Sequence, residues 1–211
     1  MIEISNEIPF LWRLSPERSG GYCSVALVVP HTSESDIQDL TIETGILSLS
    51  SGNSSSETEE VLEWNQDDIS LFLALINQRQ AHARQTHPKT LRVDLADPEV
   101  IEIIHIVAAA GFGVAFTSQG LLKESQGLAP LQKSEIGALA SLDTICGFIG
   151  CVVVDLEDED VVCVLLNEIS GGTEDSFESI HRHDLLLVNK RDLLNPEFAE
   201  DCQRPLDAIF H

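Results

Sequence analysis

The chain has 211 residues, 43% of them apolar, enough to enclose a core in one domain or one domain with a small appendage. Its 35 acidic side chains stand against 12 basic ones, a net charge of -23. Such a surface repels nucleic-acid phosphates and anionic lipid headgroups, which disfavours binding to DNA, RNA or a membrane and favours a basic protein partner.

Met1 to Glu7 carries acid where a secretory leader needs base, and no apolar block follows, so no leader is expected. Ile8 to Leu14 reads as an edge strand, because Pro9 cannot donate to a ladder. The Ser15–Gly21 turn leads into a second strand, Tyr22 to Val29, and the two are expected to form a hairpin. Ser33 to Asp36 suggests the start of a short helix, and Thr41 to Leu49 a third strand. Ser50 to Glu60 has no apolar residue to bury and reads as a flexible Ser/Glu-rich connector.

Asp67 and Asp68 open a helix in which Ile69, Phe72, Leu73 and Ile76 recur at helical spacing. Acids at its start and Arg79, His82 and Arg84 near its end complement the helix dipole. After His87-Pro88, Thr90 to Leu95 reads as a strand. It hands over to a second helix through Val93-Asp94-Leu95-Ala96-Asp97-Pro98-Glu99-Val100, with Asp97 as N-cap and Pro98 in the first helical position. Up to Ala110 this helix is polar only at Glu99, Glu102 and His105. An apolar girth of that width requires cover from other elements or from a second copy of the chain. Gly111 offers a left-handed exit, and Phe112 to Thr117 then completes a right-handed crossover between parallel strands.

Gly120 to Pro130 reads as loop, Ser134 to Leu142 as a modest helix, and Cys146 to Leu156 as a buried strand interrupted by Gly147 and Gly150. Val154-Asp155-Leu156-Glu157-Asp158-Glu159-Asp160-Val161 then echoes the earlier strand-to-helix spelling. The echo predicts a helix from Asp158 to Ile169, closed by Gly171-Gly172. A rival reading, supported by the β-branched content, is a hairpin turning at Glu157–Asp160 with Val161 to Leu166 returning as a strand. Asp184 to Val188 is a last strand, and Asn195-Pro196-Glu197 caps a last helix.

The sum is an α/β fold, a single domain over residues 1–211. Its mixed, largely parallel central sheet comprises Thr90–Leu95, Phe112–Thr117, Cys151–Leu156 and Leu185–Val188 and is flanked by helices. The N-terminal strands are expected to extend it antiparallel or to form an appended hairpin.

In such a sheet Asp94, Asp97, Asp155 and Asp158 open on the carboxyl edge, where α/β folds gather their sites. Clustered carboxylates there suit Mg²⁺ and a phosphorylated ligand, the chemistry of a small nucleotide-binding enzyme. The same residues also serve as ordinary caps and first-turn acids. Leu186 to Leu193 contains Asn189-Lys190-Arg191-Asp192, which resembles the Asn-Lys-x-Asp guanine-recognition element of GTP-binding proteins. No Gly-x-x-x-x-Gly-Lys-Ser/Thr phosphate loop accompanies it, so a turn after a strand accounts for it. Cys146 with Cys151 and His181 with His183 contain zinc-ligand residue types, but a five-residue step along one strand points the thiols to opposite faces. No metal or cofactor is therefore expected.

The favoured function is a non-catalytic protein-binding protein, such as an inhibitor, immunity-type protein, chaperone or adaptor. Glu157, Asp158, Glu159 and Asp160 would meet its basic partner. Five cysteines without a scaffold pattern read as reduced thiols, and the Ile145–Val154 apolar run is too short to span a bilayer, which together suggest a cytoplasmic protein.

Overall fold

The computed structural model describes residues 2–4, 10–17, 21–30, 39–49, 58–82, 91–123, 127–169 and 179–199, and the chain divides into two compact units, Met1–Gly113 and Val114–His211.

In the first unit, β1 (Ile2–Ile4) pairs antiparallel with β6 (Leu91–Val93). A separate four-stranded antiparallel sheet has the order β4-β3-β2-β5, with β2 Leu11–Pro16, β3 Tyr22–Val29, β4 Leu40–Leu49 and β5 Glu60–Glu63. Period-two alternation sends Trp12 and Leu14 of β2 to the buried face, opposite Leu27 and Val25 of β3. Two helices, α1 (Gln66–His82) and α2 (Pro98–Phe112), pack on each other, and α2 packs on β3 and β4. Phe10, Trp12, Trp64, Phe72 and Phe112 form an aromatic knot in this core, with Trp12 stacked on Trp64 at 5.1 Å and Phe112 edge-on to Trp12 at 5.6 Å. Ring pairs of this kind contribute about 0.5–1.5 kcal/mol each beyond their burial.

The second unit is a five-stranded mixed sheet in the order β7-β11-β10-β9-β8, with β7 Ala115–Thr117, β8 Leu139–Thr144, β9 Gly147–Glu157, β10 Asp160–Leu165 and β11 Leu185–Asn189. Its core gathers Leu142, Ile149, Cys151, Val153, Val161, Cys163, Leu165, Leu186 and Val188.

This architecture overturns the helix-flanked, largely parallel sheet. Strands dominate, they form separate sheets, and among the described residues only β7 and β11 run parallel. The supposed crossover does not link neighbours in one sheet, because β6 pairs with β1 in the first unit and β7 with β11 in the second. The second echo is a hairpin: Val161 lies opposite Leu156 and Val164 opposite Val152. Valines on adjacent strands gain more from cross-strand packing than from a helix that restricts their χ1.

Smaller differences have equally local causes. β2 begins at Leu11, after Pro9, so the strand needs no exposed edge and lies between β3 and β5. Phe112 is the last residue of α2, and the exit is an extended Gly113 rather than a left-handed Gly111. The expected Ser134–Leu142 helix is a turn at Gly137, φ +86°, followed by β8. Gly147 does not interrupt a strand. At φ +113° it closes the β8–β9 hairpin after Ile145-Cys146, a conformation glycine adopts at little cost. The Ser33–Asp36 helix and residues 50–57 of the connector lie outside the described residues, and Glu60 already belongs to β5.

Candidate functional site

Asp94 and Asp97 belong to the first unit, Asp155 and Asp158 to the second, and no parallel sheet edge unites them. Each has a local explanation. Asp94 leaves β6 in an Asx turn, its Oδ1 accepting from Ala96 N at 3.1 Å. Asp97 is the N-cap of α2, with Oδ1 accepting from Glu99 N at 3.0 Å, and Arg79 of α1 donates to both Asp97 and Glu99. The Glu99 amide and the Arg79 guanidinium hold the Asp97 carboxyl below its usual range. The apolar girth of α2 is covered within the chain, since Val100, Ile103, Ile104, Ile106, Val107, Ala108 and Ala109 are all buried.

Asp155, Glu157, Asp158, Glu159 and Asp160 crowd the tip of the β9–β10 hairpin. Glu157 and Asp160 close a two-residue turn, and Asp158 takes φ +34°, which aspartate tolerates better than most residues. Just below the tip the partners of β10 step from Asp155 to Val153, a β-bulge that leaves Val154 unpaired and bends the ribbon. Asp155 Oδ1 accepts from Leu156 N at 2.7 Å. Residues 155–159 are exposed, and Leu156, 40% exposed, sits among the acids as one apolar contact point. The Glu157, Asp158 and Glu159 carboxylates make no hydrogen bond or ion pair with any described residue.

The tip rests on the end of β11. Lys190 Nζ donates to the Asp158 carbonyl, Lys190 N donates to Glu159 O at 3.0 Å, and Asn189 Nδ2 donates to Asp160 Oδ1 at 3.1 Å. Asn189 also caps a single 3-10 turn, Lys190–Asp192, accepting from Arg191 N at 3.1 Å. The guanine-element spelling is therefore a capped turn bracing the hairpin. Burial pushes the Asp192 carboxyl up, and the negative charge of Asp160 adds to the shift. The sequence flagged both halves of this cluster but not their contact, which arises only from the β10–β11 pairing of Asp160 with Asn189.

Chemically, Glu157, Asp158 and Glu159 offer exposed carboxylate acceptors for ammonium and guanidinium groups, with Leu156 as an apolar contact. Cys146 is exposed in the β8–β9 turn, whereas Cys151 is buried beside Cys163, whose hydrogen bond, together with burial, holds the Cys151 thiol well above its usual range. His181 is exposed, 3.8 Å from Asp184, and His183 takes φ +71° in the turn before β11. No helix among the described residues is long and apolar enough to cross a membrane. No protein-family model matches the chain, and no curated protein matches it.

Proposed function

We propose that this is a non-catalytic binding protein that docks the acidic tip of its β9–β10 hairpin onto a basic protein partner, as an inhibitor, immunity-type protein, chaperone or adaptor does. The observation that carries the reading is the exposure of Glu157, Asp158 and Glu159, whose carboxylates have no engagement with any described residue. Asp97 and Asp160, in contrast, are engaged within the fold. The overall charge does not select this surface by itself. Residues 1–113 contain 17 acids against 6 bases and residues 114–211 contain 18 against 6, so the reading rests on local clustering.

An acidic tip of this kind speeds encounter with a cationic surface and rejects anionic ones. A cytoplasmic setting fits the reduced thiols of Cys23, Cys151 and Cys163. The test is co-purification with the wild-type chain and with the E157Q/D158N/E159Q variant. Because these side chains hold nothing in the fold, the variant should keep its stability to within about 0.5 kcal/mol. The reading requires a basic protein retained by the wild type, lost in the variant, and released near 1 M salt, where the screening length falls to about 3 Å. A partner retained equally by both chains would refute it.

A further inference from the structure

We propose that the sheet face behind the hairpin tip, built by β9, β10 and β11, seats an aliphatic side chain of the basic partner, flanked there by lysine or arginine. The inference rests on the reading above and names the segment that the acidic tip recruits.

The bulge in β9 decides which side chains share this face. Val153 lies opposite Cys163 and Leu156 opposite Val161, and Val153, Cys163 and Val161 all belong to the core cluster. Strict alternation over the three steps from Val153 to Leu156 would send those two to opposite faces. The extra residue of the bulge returns them to the same one, so Val154 and Asp155 both turn to the face away from that core. There Asp155 lies opposite Val162, Val162 opposite Leu187 and Leu187 beside Thr117, one row across four strands. Glu157, Asp160 and Asn189 form the next row toward the tip, about 7 Å along the strands. The hydrogen bond from Asn189 Nδ2 to Asp160 Oδ1 keeps these two side chains on one face.

The face opens toward the tip. Two residues farther from it, Val152, Val164 and Leu185 are 1%, 0% and 4% exposed. Val154, Val162 and Leu187 are only half-buried, and Asp155 and Glu157 are exposed.

The occupant follows from what lies in register. The apolar strip of Val154, Val162 and Leu187 has Asp155 in its own row and Glu157 with Asp160 in the next, three acids and no base. Asp155 uses one oxygen on Leu156 N and Asp160 one on Asn189, so each keeps a second acceptor. A second copy of the chain would bring the same acids against these, and a purely basic run would leave the strip in water. An aliphatic residue between cationic ones satisfies the strip and its border together.

The probe is the peptide Lys-Arg-Leu-Arg-Lys, compared with Lys-Arg-Ser-Arg-Lys by titration into the full chain and read from the protein's methyl signals in NMR spectra. Val154, Val162 and Leu187 should shift with the leucine peptide, which should bind about fivefold to tenfold more tightly than the serine peptide. Val162→Thr with Leu187→Thr keeps strand propensity and should reduce the leucine peptide to the affinity of the serine one. Unchanged binding of the serine peptide shows that this variant is folded, and the wild-type comparison decides the proposal without it. E157Q/D158N/E159Q should weaken both peptides equally. Equal affinity of the two peptides for the wild type, or leucine-specific shifts confined to other residues, would overturn the proposal and leave the tip reading standing. So would a leucine preference that survives in the folded double-threonine variant. Binding of neither peptide would overturn it as well, and the co-purification test, which uses no peptide, then decides the tip reading by itself.

Discussion

Truncating Asp68 tests the core of the first unit. The residue is 6% exposed, and Oδ2 accepts from Trp12 Nε1 at 3.2 Å and from Asn65 N at 3.0 Å. Asn65 Oδ1 in turn accepts from Asp67 N and Asp68 N, so the start of α1 is capped reciprocally. Asp68→Ala removes two hydrogen bonds to a charged group, each worth about 1.5–3 kcal/mol, and strands a buried indole N–H. Part of that loss is returned, because burial disfavours the ionised carboxyl and is the main cause of its raised pKa. The expected net loss is about 3 kcal/mol in urea unfolding at pH 7. Asp68→Asn keeps the acceptor and should lose only about 1 kcal/mol. The sign of the pH dependence follows. With its folded-state pKa above 3.8, Asp68 contributes stability that is full below pH 3.8 and lost as pH rises through the folded value. The wild type should therefore gain on Asp68→Asn as pH falls toward 3. A loss under 0.5 kcal/mol for Asp68→Ala, or a wild-type advantage that grows toward neutral pH, would refute the reasoning.

Gly111→Ala should not give the gain of up to about 1 kcal/mol usual inside helices, because its Cβ would lie 3.3 Å from Asp68 Oδ1, a carboxylate already fixed by two donors; thermal melts check this. Gly147→Val should cost about 2 kcal/mol in urea unfolding by forcing a β-branched residue to φ +113°. Asp97 titrates opposite to Asp68: its lowered pKa contributes stability above pH 3.8 that is lost as pH falls through the folded value. Arg79→Met should flatten that acid limb without moving the alkaline one. Partner binding should strengthen as pH rises from 3.8 through the raised Asp192 value, and Asp192→Asn should reduce this dependence in calorimetric titrations.

Where local chemistry decides an element, the sequence reading and the structure agree. Tyr22–Val29 is β3 to the residue, and α2 starts at Pro98 behind its Asp97 cap, because proline and an aspartate acceptor suit those two positions alone. The second acidic spelling lacks a proline and is followed by Val161-Val162-Cys163-Val164, where partner strands rather than local preference decide. Gly147 illustrates the same limit: a glycine between apolar runs reads as a flaw in a strand until pairing of β8 with β9 makes it a corner. The β-branched content supports a hairpin turning at 157–160 as the rival to a helix, and the charge pattern marks its four acids as a partner surface. What no local pattern could supply was Lys190 and Asn189 beneath them, brought there by pairing across 29 residues.

The most direct measurement of the central claim is amide hydrogen exchange on the full chain, with and without any basic protein that co-purification recovers. The account predicts slowed exchange over 155–160 and 189–192, reversed near 1 M salt as the screening length falls to about 3 Å. Protection confined to other segments, or protection of the tip that salt does not reverse, would contradict it.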